Sequence, residues 1–218
     1  MSGDAVGKRV VLLHGLWMPG ASMHWLAAQL RAHGFAPETF SYHSVADGPD
    51  LAVPRLVGLL QAGGGDVDIV AHSLGGLIAL QALCEAPGLP VTRVVCMGSP
   101  LTGSGAATGM LRWAPAASLL GRSAALLQQG IHCWQGRAEV GVIAGRVRHG
   151  LGALLAGFDG DHDGTVAVAE TRLEGIADHV VVDASHSGLL FSAEAAAQAA
   201  AFLRDGHFRA PTGEGGTR

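Results

Sequence analysis

Asp68-Ile69-Val70-Ala71-His72-Ser73-Leu74-Gly75-Gly76-Leu77 is the stretch whose reading decides the fold. Val67 to Ala71 is a short apolar, β-branched run of the kind that forms a fully buried parallel strand. Leu74 to Glu85 carries a helical pattern, and only two residues separate the two runs. A strand that turns into a helix over so short a distance forces strained backbone at its apex, Ser73, and needs small residues around it. Ala71 and Gly75 supply them.

The rest of the chain repeats the alternation. Strands are expected at Arg9–Leu13, Pro37–Tyr42, Val91–Met97, Val140–Ala144 and His179–Asp183, and helices at Ala21–His33, Leu51–Leu60, Ala116–Gln129 and Leu190–Arg204. Gly34, a residue that caps helices in the left-handed conformation, closes the first of these helices. Strands alternating with helices imply a mostly parallel sheet of about six strands covered by helices on both faces. In such sheets ligands bind beyond the carboxyl ends of the strands. That rule puts His14, Ser73, Ser99 and the loops after Ala144 and Asp183 on one rim.

Composition narrows the class. The chain of 218 residues is long enough for one substantial core, and 49% hydrophobic residues indicate a globular domain. The net charge of −4, with charges scattered singly, argues against a nucleic-acid partner. No apolar run reaches the length of a membrane span, and no signal segment is evident, so a cytoplasmic location is expected. The odd number of cysteines, Cys84, Cys96 and Cys133, fits reduced thiols rather than a disulfide framework. The fold domain is expected over 1–205, with 101–137 as a candidate cap or lid and 206–218 as a flexible tail. Sequence is silent on the oligomeric state.

Ala71-His72-Ser73-Leu74-Gly75 is a variant of the G-x-S-x-G turn that exposes a serine nucleophile, with alanine in place of the first glycine. The competing reading, that Ser73 merely caps the following helix, leaves His72, Gly75 and Gly76 unexplained. With these motifs the chain resembles small α/β-hydrolases of the bacterial lipase and esterase kind over nearly its whole length. The resemblance implies a single-domain α/β-hydrolase fold, an acyl-enzyme on Ser73 and no cofactor or metal. It also implies an oxyanion hole built from the backbone N–H of Leu74 and that of Leu16, the residue after His14-Gly15.

A serine needs a base, and histidine suits neutral pH. Among 11 histidines, position selects His186, in Ser185-His186-Ser187-Gly188-Leu189-Leu190 after the last strand. The chain order Ser, acid, His then requires an acid before it. Asp163, in Asp163-Gly164-Thr165-Val166, matches the family pattern; Asp161 is the reserve, and Asp183 is more distant. Asp159, Asp161, Asp163, Gly164 and Glu170 also match the calcium-loop spacing, without the flanking helices that such a loop needs.

Trp17 and Met18 are candidates to line the acyl pocket, with Trp113, Leu119, Leu120 and Leu126 adding to an apolar approach. The partner expected is a small-molecule acyl ester. Thioester hydrolysis or acyl transfer by the same residues, and ligand binding without catalysis, are the alternatives.

Overall fold

A computed structural model describes residues 7–112, 118–149 and 160–210. Among these, six strands form one sheet: β1 (Arg9–Leu13), β2 (Ala36–Phe40), β3 (Val67–His72), β4 (Val91–Met97), β5 (Glu139–Gly145) and β6 (Asp178–Val182). Their order is β2-β1-β3-β4-β5-β6, and every neighbouring pair is parallel. The connections leave β1 in opposite directions, toward β2 on one side and β3 on the other. The crevice between the ends of β1 and β3 is therefore the topological switch point, where open α/β sheets bind ligands.

Strand residues alternate between two apolar layers, as the period of two requires. Val10, Leu12, Val70, Val95, Met97 and Ile143 face one core, with α1 (His24–Ala32) and the closing helix, α6 (Ala193–Asp205), packed over it. Val11, Leu13, Ile69, Ala71, Val94 and Cys96 face the other, covered by α2 (Gly48–Ala62) and α3 (Leu74–Glu85). The inner strands are covered on both faces, which is why β1 and β5 read largely as apolar runs. Among the described residues no helix is long and apolar enough to cross a membrane.

Two short helices, α4 (Gly105–Leu111) and α5 (Ala124–Gln129), lie in the candidate cap. Leu101, Met110, Leu127 and Trp134 of that segment are buried against the α2–α3 side of the core. Residues 113–117, including Trp113 and the start of the helix expected from Ala116, lie outside the described residues.

The structure departs from expectation at helix starts. Gly20–Met23 and Ser187–Phe191 form tight three-residue turns, so α1 and α6 begin three residues later than the sequence pattern suggests. The first part of the expected tail is also docked. Phe208 is buried against Phe202 with ring centroids 5.0 Å apart, and the Arg209 N–H donates to Gln198 Oε1 at 2.8 Å. One aromatic side chain thus extends the ordered core beyond the helix that precedes it. The three cysteines are free, with Cys96 buried and Cys84 exposed.

Candidate active site

Ser73 sits where β3 becomes α3, with φ 54° and ψ −123°, a backbone conformation rare for any residue with a side chain. Its N–H donates to the Met97 carbonyl on β4 at 2.9 Å, which ties the strained turn to the sheet. Its hydroxyl makes no capping bond to α3. Instead it lies 3.1 Å from Nε2 of His186. The helix-cap reading of Ser73 therefore fails on where its oxygen points.

Gly75 lets this turn close. A Cβ there would stand 2.8 Å from the His14 carbonyl and 2.9 Å from Leu13 Cβ, so the first turn of α3 rides directly on the end of β1. Gly15 is equally confined: its Cβ would lie 3.0 Å from both Ser73 Cβ and His72 Nδ1.

His186 opens the turn after β6, and its Nδ1 lies 2.7 Å from Asp163 Oδ2. The Asp163 carboxylate is 1% exposed, and its other oxygen accepts the N–H groups of Thr165 (2.9 Å) and Val166 (2.8 Å). The Asp163 carbonyl accepts the His186 N–H at 2.9 Å, so the two loops are stitched by backbone as well. Asp163 is thus the acid brought to His186. Asp183 pairs with Arg146, and Asp161 approaches Arg148 at 4.0 Å.

Two residues of the calcium-loop spacing have other partners in the structure. Both oxygens of Asp163 are committed as above, and those of Glu170 accept the N–H groups of Gly105 and Ala167. Asp159 lies outside the described residues.

The turn after β1 is held by His14, which is fully buried. The Tyr42 N–H points at His14 Nε2 (3.4 Å), so Nε2 is the acceptor and Nδ1 carries the proton toward the Gly15 carbonyl at 3.0 Å. Burial lowers the His14 pKa and keeps the ring neutral. The Gly15–Leu16 peptide is trans, so its N–H points opposite to its carbonyl and therefore away from His14. Leu74 is the first residue of α3, a position whose N–H the helix itself leaves free.

Two residues beyond those selected by sequence belong to this geometry. His72 is fully buried between the turns; its Nε2–H donates to the His186 carbonyl at 3.0 Å, and its ring centroid lies 4.7 Å from that of His186. Burial first, and the neighbouring His186 second, push its pKa down to about 3, so no fixed positive charge faces the His186 ring. Gly98, at φ 57°, leaves the space that the pair occupies: a Cβ there would sit 3.2 Å from both Asp163 Oδ2 and His186 Nδ1. Its signal in the sequence was a glycine directly after a buried strand, on the rim where the site was expected. Trp17 and Met18 line a cavity beside the β1 turn.

The comparisons agree with this architecture. The chain resembles the mature lipase BlEst2 of Bacillus licheniformis with a TM-score of 0.73 and 22% identity, covering 93% of each chain. A metagenomic carboxyl esterase matches at TM-score 0.65 and 20% identity, over 84% of this chain and 65% of that one. A bromoperoxidase of Bacillus anthracis matches at TM-score 0.65 and 14% identity, over 92% and 93%. At such identities the likeness is one of fold, and one fold hosts several chemistries. No functionally curated protein matches. The model of the alpha/beta hydrolase family matches residues 10–210, nearly the whole chain. The chain therefore belongs to the alpha/beta hydrolase family.

Proposed function

We propose that this protein is a serine hydrolase that cleaves carboxylic esters through an acyl-enzyme on Ser73. The observation that carries the reading is the hydrogen-bonded chain from Ser73 Oγ through His186 to Asp163, at 3.1 and 2.7 Å. In this reading His186 Nε2 accepts the proton as Ser73 Oγ attacks the ester carbonyl, and Asp163 holds Nδ1–H and stabilises the imidazolium. The negative charge on the carbonyl oxygen meets the N–H groups of Leu16 and Leu74. Each donor of this kind lowers the barrier by about 3 kcal/mol. His186 then gives its proton to the leaving alkoxide, and water attacks the acyl-enzyme by the reverse sequence. Trp17 and Met18 contact the substrate.

The two structural neighbours named as a lipase and a carboxyl esterase lend support to ester chemistry. The neutral His72 supports it further, because a charged ring 4.7 Å from His186 would oppose the imidazolium that the reaction needs.

The test is hydrolysis of p-nitrophenyl esters together with fluorophosphonate labelling. The wild-type protein is expected to turn over and to be labelled at Ser73, Ser73→Ala to do neither, and His186→Ala to lose several orders of magnitude in kcat. Turnover that persists in Ser73→Ala would refute the proposal. A wild-type chain that neither turns over nor reacts is a ligand-binding member of the fold.

A further inference from the structure

The turn after β1 that packs against Ser73 also brings Met18 close, since a Cβ on Gly15 would lie 3.0 Å from Ser73 Cβ and 3.4 Å from Met18 Sδ. Between the loops that follow β1 and β2 lies a cavity of about 620 Å³, bounded by His14, Trp17, Met18, Tyr42, Val45 and Arg55. This volume is within the range that binds small molecules. It begins at the turn that carries Leu16, whose Gly15 approaches Ser73 directly.

Most of the polar groups on its walls are already engaged; His43 and Arg55 share Asp47. The Tyr42 hydroxyl donates to the His14 carbonyl (2.7 Å), and Ser44 Oγ accepts the Trp17 N–H (3.1 Å). The Arg55 guanidinium bonds Asp47 and the Ser41 carbonyl, each at 3.3 Å, so its charge already has a counter-ion. Most of the surface the cavity offers a ligand is apolar: the Trp17 ring, Met18, Val45 and Ala46.

Three segments distant in sequence are fastened around it. Trp17 adopts φ 58°, uncommon for a residue with a side chain, and its indole N–H donates to the Leu119 carbonyl at 2.8 Å. The Ser123 hydroxyl donates to the Ser44 carbonyl (2.6 Å), and the Arg122 N–H donates to the Val45 carbonyl (3.1 Å). The pocket walls are therefore held in place before any ligand arrives.

We infer that this cavity is the acyl-chain pocket and that the substrates are esters of uncharged, apolar carboxylic acids of medium or long chain; this rests on the hydrolase reading above. Stereochemistry assigns the acyl side. When Ser73 Oγ bonds the carbonyl carbon, the C–O bond to the alcohol breaks and the departing oxygen takes the proton from His186 Nε2. The leaving group must therefore lie on the His186 side, toward β6. The oxyanion faces Leu16 and Leu74, so the fourth substituent, the acyl chain, points away from His186. In the strand order that direction runs from β3 across β1 toward β2, where the cavity lies.

The test uses kcat/KM for p-nitrophenyl octanoate and acetate, read as a ratio so that any general loss of activity cancels. The wild type is expected to favour octanoate. Ala46→Trp, placed at an exposed position on the cavity rim, is expected to lower the octanoate-to-acetate ratio about tenfold or more. An unchanged ratio, or a wild type that favours acetate, overturns the inference. A crystal structure of the Ser73 adduct with p-nitrophenyl octylphosphonate gives the second reading. An alkyl chain between Trp17 and Val45 supports the assignment, and a chain lying elsewhere refutes it. A Ser73 that reacts with small fluorophosphonates but not with the octyl reagent removes the pocket alone. A Ser73 that reacts with neither removes the hydrolase reading and the pocket with it.

Discussion

Asp163→Asn separates orientation of the histidine from stability of the loop, because the surroundings of Asp163 dictate how an asparagine must sit. Oδ1 accepts two backbone N–H groups, from Thr165 and Val166, while Oδ2 faces His186 Nδ1 at 2.7 Å. In the variant the amide oxygen must take the Oδ1 position, since an NH₂ there would set donors against donors. The amide nitrogen then faces His186 Nδ1 and donates to it. That bond moves the histidine proton to Nε2, 3.1 Å from Ser73 Oγ, where the base should be free to accept. The expected loss in kcat is about 10⁴-fold, or about 5 kcal/mol in the barrier. Stability should barely change, because shape and both backbone bonds are kept. Asp163→Ala, by contrast, strips two N–H groups in a buried loop of their acceptor, at about 1–3 kcal/mol each. The assay is p-nitrophenyl ester turnover with denaturant unfolding of both variants. Asp163→Asn within tenfold of wild type would refute the reasoning, and a large loss in Asp161→Asn instead would move the role to that residue.

Two further outcomes follow from burial and close contact. His72, with a pKa near 3 when folded against about 6.5 when unfolded, is neutral in the folded protein. Below pH 6.5 the unfolded chain takes up a proton that the fold refuses, so this contribution is full above pH 6.5 and fades toward pH 3. Between pH 6.5 and 4.5 the wild type should lose about 2 kcal/mol more stability than His72→Gln; identical profiles in denaturant titrations at the two pH values would contradict this. Glycine to alanine should have opposite signs at two helical sites. Gly58→Ala in α2 meets no atom within 4 Å and should stabilise by up to about 1 kcal/mol, whereas Gly75→Ala meets the β1 backbone and should cost about 2 kcal/mol. Equal effects in denaturant unfolding would show that the approach of α3 to β1 is looser than described.

The bounds of α3 and of β4 were legible from sequence to the residue, and the reason is the residues that flank them: Pro90 and Gly98 bracket β4, and Pro87 follows the end of α3. Helix starts were less legible. Residues 20–23 and 187–191 are short runs that lead directly into a helix, and their residue types suit the tight turn and the α-helix alike. Phe208 was missed because a lone aromatic in a stretch rich in Gly, Pro and Thr carries no periodic signal; only Phe202 on the preceding helix gives it somewhere to pack.

The candidate site divides along the same line. Ser73 and His186 closely follow strands, and a parallel sheet brings strand ends to one rim, so chain order was enough to pair them; the acid was chosen from its loop by the family pattern at Asp163-Gly164-Thr165-Val166, with Asp161 in reserve. The cavity is another matter. Its walls come from residues 14–20, 41–46 and 55, fastened to 119–123 by backbone and hydroxyl hydrogen bonds that leave no trace in residue type. Trp17 and Met18 stand out in the sequence by their place after His14-Gly15, but the left-handed backbone of Trp17 and its bond to Leu119 do not. On the proposed reading, reaction class is written in the strand ends, which the sheet aligns, while the group that enters the pocket is decided by loops whose meeting is a product of the finished fold. The Ala46→Trp ratio tests that division directly: its expected change falls on chain-length preference, in a pocket none of whose walls includes Ser73, Asp163 or His186.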